Sequence, residues 1–198
     1  RRGAPSGARG PGGALLRSTT LAPRLQEPGR NVYSRNVDEA PPAAPRGGGA
    51  PAAGAGALRV ARVAGESAVV GCASASPLRL FTPRARGVAA WAVATTHGGG
   101  LVAGDAIDVA LEVGAGARAL LATQSNTRVY RSAGATARQR LRARVAEGAL
   151  LAVLPEPTAC FAGARYEQEQ RFELDAGASL LLVDAVTEGR GARGERWA

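Results

Sequence analysis

The feature that most narrows the fold is a pattern that occurs three times. In each copy an alternating apolar–polar segment runs into a three-residue turn ending in Gly, and an apolar segment follows. The first copy is Ile107 to Val113, Gly114-Ala115-Gly116, Ala117 to Ala122. The second is Ala137 to Val145, Ala146-Glu147-Gly148, Ala149 to Leu154, and the third is Tyr166 to Leu174, Asp175-Ala176-Gly177, Ala178 to Val183. Alternation with period two marks a strand with one face in a core. A terminal turn Gly takes positive φ without a Cβ clash, so each copy reads as a hairpin. The turn glycines stand 32 and 29 residues apart. A period of this size signals stacked units, each covering its neighbour's apolar face. Three unrelated hairpins in a sandwich are the alternative. The regular spacing favours an all-β, solenoid-like stack of hairpins with few or no helices.

Upstream, Leu58 to Val63, Ala68 to Ala73 and Val88 to Thr95 also alternate as strands, and no stretch offers a 12-residue amphipathic helix. Residues 1–56 are rich in Arg, Gly, Ala and Pro with one aromatic, Tyr33. Such a segment buries too little apolar surface to offset its ordering entropy and is expected to be disordered, leaving 57–198 as the β domain. Its composition is also similar to an organelle transit peptide. A chain that opens on Arg1-Arg2 and contains no Met is expected to be a fragment or a processed product.

All 25 basic residues are Arg, and the net charge is +9. Residues 1–59 carry 9 Arg against 3 acids, and 60–198 carry 16 against 13. The basic excess therefore sits mainly in the N-terminal segment, which with 4% aromatics argues against a nucleic-acid binder. The exception is Arg138, Arg140, Arg142 and Arg144, which share one strand face; a solvated face is the favoured reading over an anion-binding stripe. No run of 18 apolar residues is present to make a membrane-spanning helix. Cys72 and Cys160 are 88 residues apart, which excludes a disulfide-dense scaffold, and with the single His97 they leave no structural zinc set.

The repeat also places polar groups. Seven residues after each turn Gly stand Thr123, Pro155 and Asp184. Gln124 to Thr127, Glu156 to Thr158 and Thr187 to Arg190 follow, and stacking would gather them on one rim. The string Thr96 to Asp105 lacks the Lys-Ser/Thr of a phosphate loop, and a strand rather than a helix follows it. His97 has no assignable nucleophile or orienting acid. Glu167, Glu169 and Glu173 alternate on one strand and could serve a β-solenoid hydrolase acting on polysaccharide, the alternative functional reading.

Several ordered strings resemble one family. His97-Gly98-Gly99-Gly100-Leu101-Val102-Ala103-Gly104-Asp105 is similar to the Gly-Gly-Gly-x-x-x-Gly-Asp signature of the urease accessory protein D family. Leu120 to Ser132, with Gln124, Thr127 and Tyr130, resembles its second motif, with Ala122 for a frequent Thr and Arg128 for the usual Lys. Leu154-Pro155-Glu156-Pro157 is similar to the third. Gly189-Arg190 through Gly194-Glu195-Arg196-Trp197 resembles the fourth. The resemblance implies an all-β helical-sheet fold and a cytoplasmic, non-enzymatic scaffold. It implies partners in the urease apoprotein and the accessory proteins UreF and UreG. Transient Ni²⁺ would pass through an internal channel, with no permanent cofactor or metal site and no nucleic acid or membrane partner. Channel positions carried over are Asp105, Thr127, Asp184 and Arg190. Family members continue for roughly another hundred residues, so a solenoid with bare last coils is expected to be poorly soluble alone; size-exclusion chromatography showing a compact monomer would contradict this.

Overall fold

The computed structural model describes residues 14–21, 51–84 and 87–194. It consists of strands joined by turns and two single 3₁₀ turns, with no α-helix among the described residues. The strand β1 (Ala14–Leu21) comes first. A first coil follows with β2 (Ala55–Val63), β3 (Glu66–Ser74), β4 (Leu78–Phe81) and β5 (Ala90–Thr96). The next three coils have three strands each. The second is β6 (Ala106–Val113), β7 (Arg118–Thr123) and β8 (Thr127–Val129). The third is β9 (Ala137–Val145), β10 (Leu150–Leu154) and β11 (Thr158–Cys160). The fourth is β12 (Tyr166–Leu174), β13 (Ser179–Leu182) and β14 (Val186–Glu188).

Equivalent strands of successive coils pair in parallel, giving three walls. The first wall has the order β1-β12-β9-β6-β2-β3, the second β13-β10-β7-β5-β4, and the third β14-β11-β8. The stacked all-β architecture is the expected one. The turns are a different device from the expected hairpin: the strands flanking each belong to different walls, so the turn is a corner. Its Gly does take the left-handed conformation, with φ of 63°, 63° and 68° at Gly116, Gly148 and Gly177. The corners are copies of one another. Ala117, Ala149 and Ala178 donate N–H to the carbonyls of Gly114, Ala146 and Asp175 at 3.0–3.1 Å, closing a β-turn with Gly in third place. Gly114, Ala146 and Asp175 in turn donate to Val60, Val113 and Val145 of the coil before, at 2.8–2.9 Å. Thus the ladder runs on around the bend, and few corner amides need water.

Antiparallel strands cover some ends of the walls. At one end of the first wall β3 pairs with β2, joined by Ala64 and Gly65, both at positive φ as a two-residue hairpin requires. At its other end β1 pairs with β12 from Ala14↔Leu174 to Leu21↔Glu167. That strand lies within the segment expected to be disordered. Its alternating, Thr-containing sequence suits an edge, and the edge of β12 supplies the hydrogen-bonding partner that composition alone cannot reveal. Residues 1–13 and 22–50 lie outside the described residues.

Registry decides what fills the interior. One inward row of the first wall is Leu58, Leu111, Ala143 and Phe172, and the next is Val60, Val113, Val145 and Leu174. Phe172, Leu58, Leu111 and both Val113 and Val145 are at most 2% exposed. Opposite them Ala119, Leu121, Leu151 and Val153 point in from the second wall. The outer side of the first wall is an ion-pair ladder: Arg138 meets Glu167 at 3.0 Å, Arg140 meets Glu169 at 3.6 Å and Arg142 meets Asp108 at 3.7 Å. The arginine stripe is a solvent-facing surface neutralised by acids of the adjoining coils.

Candidate functional site

The inward rows nearest the corner between the third and first walls change character along the stack. One runs Ile107, Gln139, Gln168, and its neighbour Val109, Leu141, Gln170. A third places Tyr166 beside Ala137. Gln168 and Gln170 are 4% and 5% exposed, in a place where the second coil puts Ile107 and Val109. Burying amides requires partners. They converge on one carboxylate: Gln168 Nε2 donates to Asp184 Oδ2 at 2.9 Å and Gln170 Nε2 donates to the same oxygen at 3.1 Å. Tyr166 donates its hydroxyl proton to Gln168 Oε1 at 2.7 Å. Gln139 lies 3.1 Å from the same hydroxyl, a contact satisfied when its amide presents NH₂ to the oxygen, since the hydroxyl has one proton. The Thr158 side chain also hydrogen-bonds Tyr166. Gln170 Oε1 is buried and accepts nothing. The result is a string of hydrogen-bonded groups that runs from the buried Tyr166 and Gln168 to the exposed carboxylate of Asp184.

Burial pushes the Tyr166 phenol well above its ordinary range, with Cys160 and Asp184 adding to the effect and the Thr158 hydrogen bond opposing it. Burial likewise pushes the Cys160 thiol up to about 11 and raises Cys72. Both thiols are therefore protonated at neutral pH and poor ligands for a soft metal. Among the described residues no three His, Cys, Asp or Glu side chains gather as a metal site.

Below the polar rows a cavity of about 70 Å³ is lined by Thr123, Thr127 and Gln139 together with Ile107 and Val109. Thr127 faces inward in register with Thr158 and Val186. Thr127 is half-buried on the inward side of the third wall, whereas Asp184 is exposed at the open end of the fourth coil, where it caps the buried amides. Asp105 is half-buried at the start of β6, where its Oδ2 accepts from Val102 N–H at 2.9 Å and holds the turn. Arg190 stands elsewhere, on the outer side of the third wall, with its guanidinium 5.1 Å from the centre of the Phe161 ring. That ring also meets Tyr130 edge-on at 5.3 Å.

The remaining motif positions build the third wall. Leu101, Val129, Cys160 and Glu188 form one column across four coils. Leu101 N–H donates to Arg128 O at 2.7 Å, and Tyr130 N–H donates to Leu101 O at 2.9 Å. A Cβ on Gly100 would lie 2.5 Å from Arg128 O, so only Gly lets the two segments meet; a Cβ on Gly189 would lie 1.5 Å from Phe161. Gly98, Gly99 and Gly104 have positive φ in the connecting turn, as does Gly194. Gln124 N–H donates to Ala94 O at 3.0 Å, and beside Pro155 the Glu156 N–H donates to Thr123 Oγ1 at 2.8 Å. Glu195 lies outside the described residues. The predicted rim is therefore a corner and a wall, on which Gln124, Glu156, Asp184 and Arg190 are exposed, Thr127 is half-buried and Thr158 is buried. Sequence reasoning placed Thr158 on the rim and missed Gln139, Tyr166, Gln168 and Gln170. Alignment of the copies on their turn Gly would have set Gln168 against Ile107 and Gln170 against Val109.

Fold and site together define a β-solenoid whose apolar interior turns polar at its last coil. The family model "UreD urease accessory protein" matches residues 52–198. A urease accessory protein UreD of Anaeromyxobacter sp. (strain Fw109-5) is 59% identical over 146 residues, 74% of this chain and 49% of that protein. Urease accessory protein D of Oryza sativa subsp. japonica is 45% identical over 153 residues, 75% of this chain and 50% of the relative. That of Arabidopsis thaliana is 41% identical over 147 residues, covering 72% and 50%. The chain belongs to the UreD urease accessory protein family. It spans about half the length of the curated relatives it matches.

Proposed function

We propose that this protein is a scaffold for urease maturation in the cytoplasm. It binds the urease apoprotein and the accessory proteins UreF and UreG, and it lets Ni²⁺ pass along the solenoid interior without making or breaking covalent bonds. The observation that carries this reading is the burial of Gln168 and Gln170, both donating to Asp184, in rows that the second coil fills with Ile107 and Val109. An all-apolar lining would pack at least as well, so structural need alone does not account for buried amides. A cation in transit needs donors that attract it and then let go. Neutral amide and hydroxyl oxygens with one carboxylate bind Ni²⁺ more weakly than imidazole or thiolate sets, which suits release. Thr127 and the Tyr166–Thr158 pair extend the oxygen string, Asp105 fixes the turn that opens the second coil, and Arg190 acts from the outer wall.

The test is urease activation in cells that co-produce the apoprotein, the accessory proteins and this chain. Asp184→Ala is expected to lower activation several-fold while partner co-purification is retained, with Asp105→Ala lowering it less. Unchanged activation in both variants overturns the channel roles. The polysaccharide-hydrolase reading is disfavoured, because Glu167 and Glu169 lie on an open outer face engaged with Arg138 and Arg140.

A further inference from the structure

The outer side of the second wall is unlike the charge ladder on the first. Six of the ten exposed large apolar side chains among the described residues stand on it: Phe81, Trp91, Leu150, Leu154, Leu181 and Val183, each 37–53% exposed. They are contiguous by register, since Trp91 aligns with Leu120, Ala152 and Leu181 across four strands. No Asp or Glu faces outward from these strands. Arg79 and Arg118 mark opposite ends of the face.

Size and shape select what covers it. Five strands about 4.8 Å apart with up to three outward residues about 6.8 Å apart present roughly 490 Å² at most. Two copies meeting face to face would bury about 980 Å², short of the roughly 1,200–2,000 Å² of a stable interface. Strand addition uses an edge, not a face. A helix fits, because Ala122 and Ala152 lie on adjacent strands one outward position apart, with Leu120 and Leu154 rising on either side. About 14 helical residues span the roughly 20 Å face. Arginines at both ends, with no acid between them, complement acidic residues at the ends of such a helix.

We infer that this face docks an amphipathic helix with an apolar stripe and acidic ends, carried by a partner protein; that the partner belongs to the maturation complex rests on the function proposed above. The test places a photo-crosslinking benzoylphenylalanine at position 181 of the full chain, co-produced with urease apoprotein and the accessory proteins. Crosslinked peptides are mapped by mass spectrometry. A crosslink to an apolar-striped helical peptide of a partner is expected, and Leu154→Asp with Leu181→Asp should cut co-purification at least tenfold without changing the melting temperature. Crosslinks between two copies, crosslinks to the chain's own N-terminal residues, or undiminished co-purification of the double variant overturn the inference. If the unaltered chain co-purifies with no partner, the maturation reading fails and the face is judged separately. A synthetic helix with a Leu stripe and Glu ends is then titrated against Trp91 fluorescence in a Trp197→Phe background. A saturable blue shift that the double variant abolishes upholds the docking face, and no shift overturns it.

Discussion

The two ends of the first wall's inward face are built on the same strands and reach opposite chemistry. Near the corner glycines, Leu58, Leu111, Ala143 and Phe172 form a dry row. About three residues back along each strand, Ile107 gives way to Gln139 and Gln168, and Val109 to Leu141 and Gln170. Backbone pairing is the same in both regions, so it does not account for the difference. The dry end holds the coils together through apolar burial and close packing. At the polar end hydrogen bonds replace lost hydration and contribute little net stability, so what they contribute is a chemical environment.

The largest expected effect breaks the dry end. Phe172→Ala deletes a ring that is 1% exposed and should cost about 3–5 kcal/mol, read as a lowered denaturant midpoint. Gln170→Leu sharpens the contrast from the other side. It extends the Val109–Leu141 row and removes an amide whose oxygen already has no partner. Stability should hold or rise by about 1 kcal/mol while urease activation falls; activation equal to the unaltered chain would show that Gln170 serves packing alone.

Alkaline pH probes the column beside the polar end. The folded Cys160 thiol titrates at about 11 against an ordinary 9.0, so the folded state favours its protonated form. That stability is complete below pH 9 and disappears as pH rises through 11, amounting to about 2 kcal/mol at the upper limit. Tyr166, raised above its ordinary 10.0, adds to the loss in the same direction. Melting temperature followed from pH 8 to 11 should fall more steeply for the unaltered chain than for Cys160→Ala. The smallest effect belongs to the outer ladder. Arg140→Ala opens a pair with half-exposed partners at 3.6 Å and should change stability by about 0.2–1 kcal/mol, less at high salt.

The sequence displays the strands and their stacking plainly, because period-two alternation and a fixed spacing of turn glycines are local signals. It hides where each turn sends the chain. A three-residue turn ending in left-handed Gly can reverse a hairpin or round a corner, and only pairing with a neighbouring coil decides between them. The polar interior is hidden for a related reason. Tyr166 to Leu174 reads Tyr-Glu-Gln-Glu-Gln-Arg-Phe-Glu-Leu, in which one face is wholly charged and the other carries two Gln among Tyr166, Phe172 and Leu174. Binary patterning separates those faces but does not mark the two Gln as replacements of apolar residues, which registry against Ile107 and Val109 does. Asp184 was legible by its offset from the turn Gly. Thr127 was legible both from the repeat, which set it on the rim, and from the family resemblance, and Arg190 was placed among the channel candidates although it rests on Phe161 outside.

The repeated corner has a consequence for how such an interior can change. Each storey hands the next a ladder fixed by backbone atoms, so the side chain nine or seven positions before its turn Gly can be exchanged without disturbing the floors above and below. The inward rows can thus be rewritten one level at a time, and the polarity of each level is within reach of single substitutions.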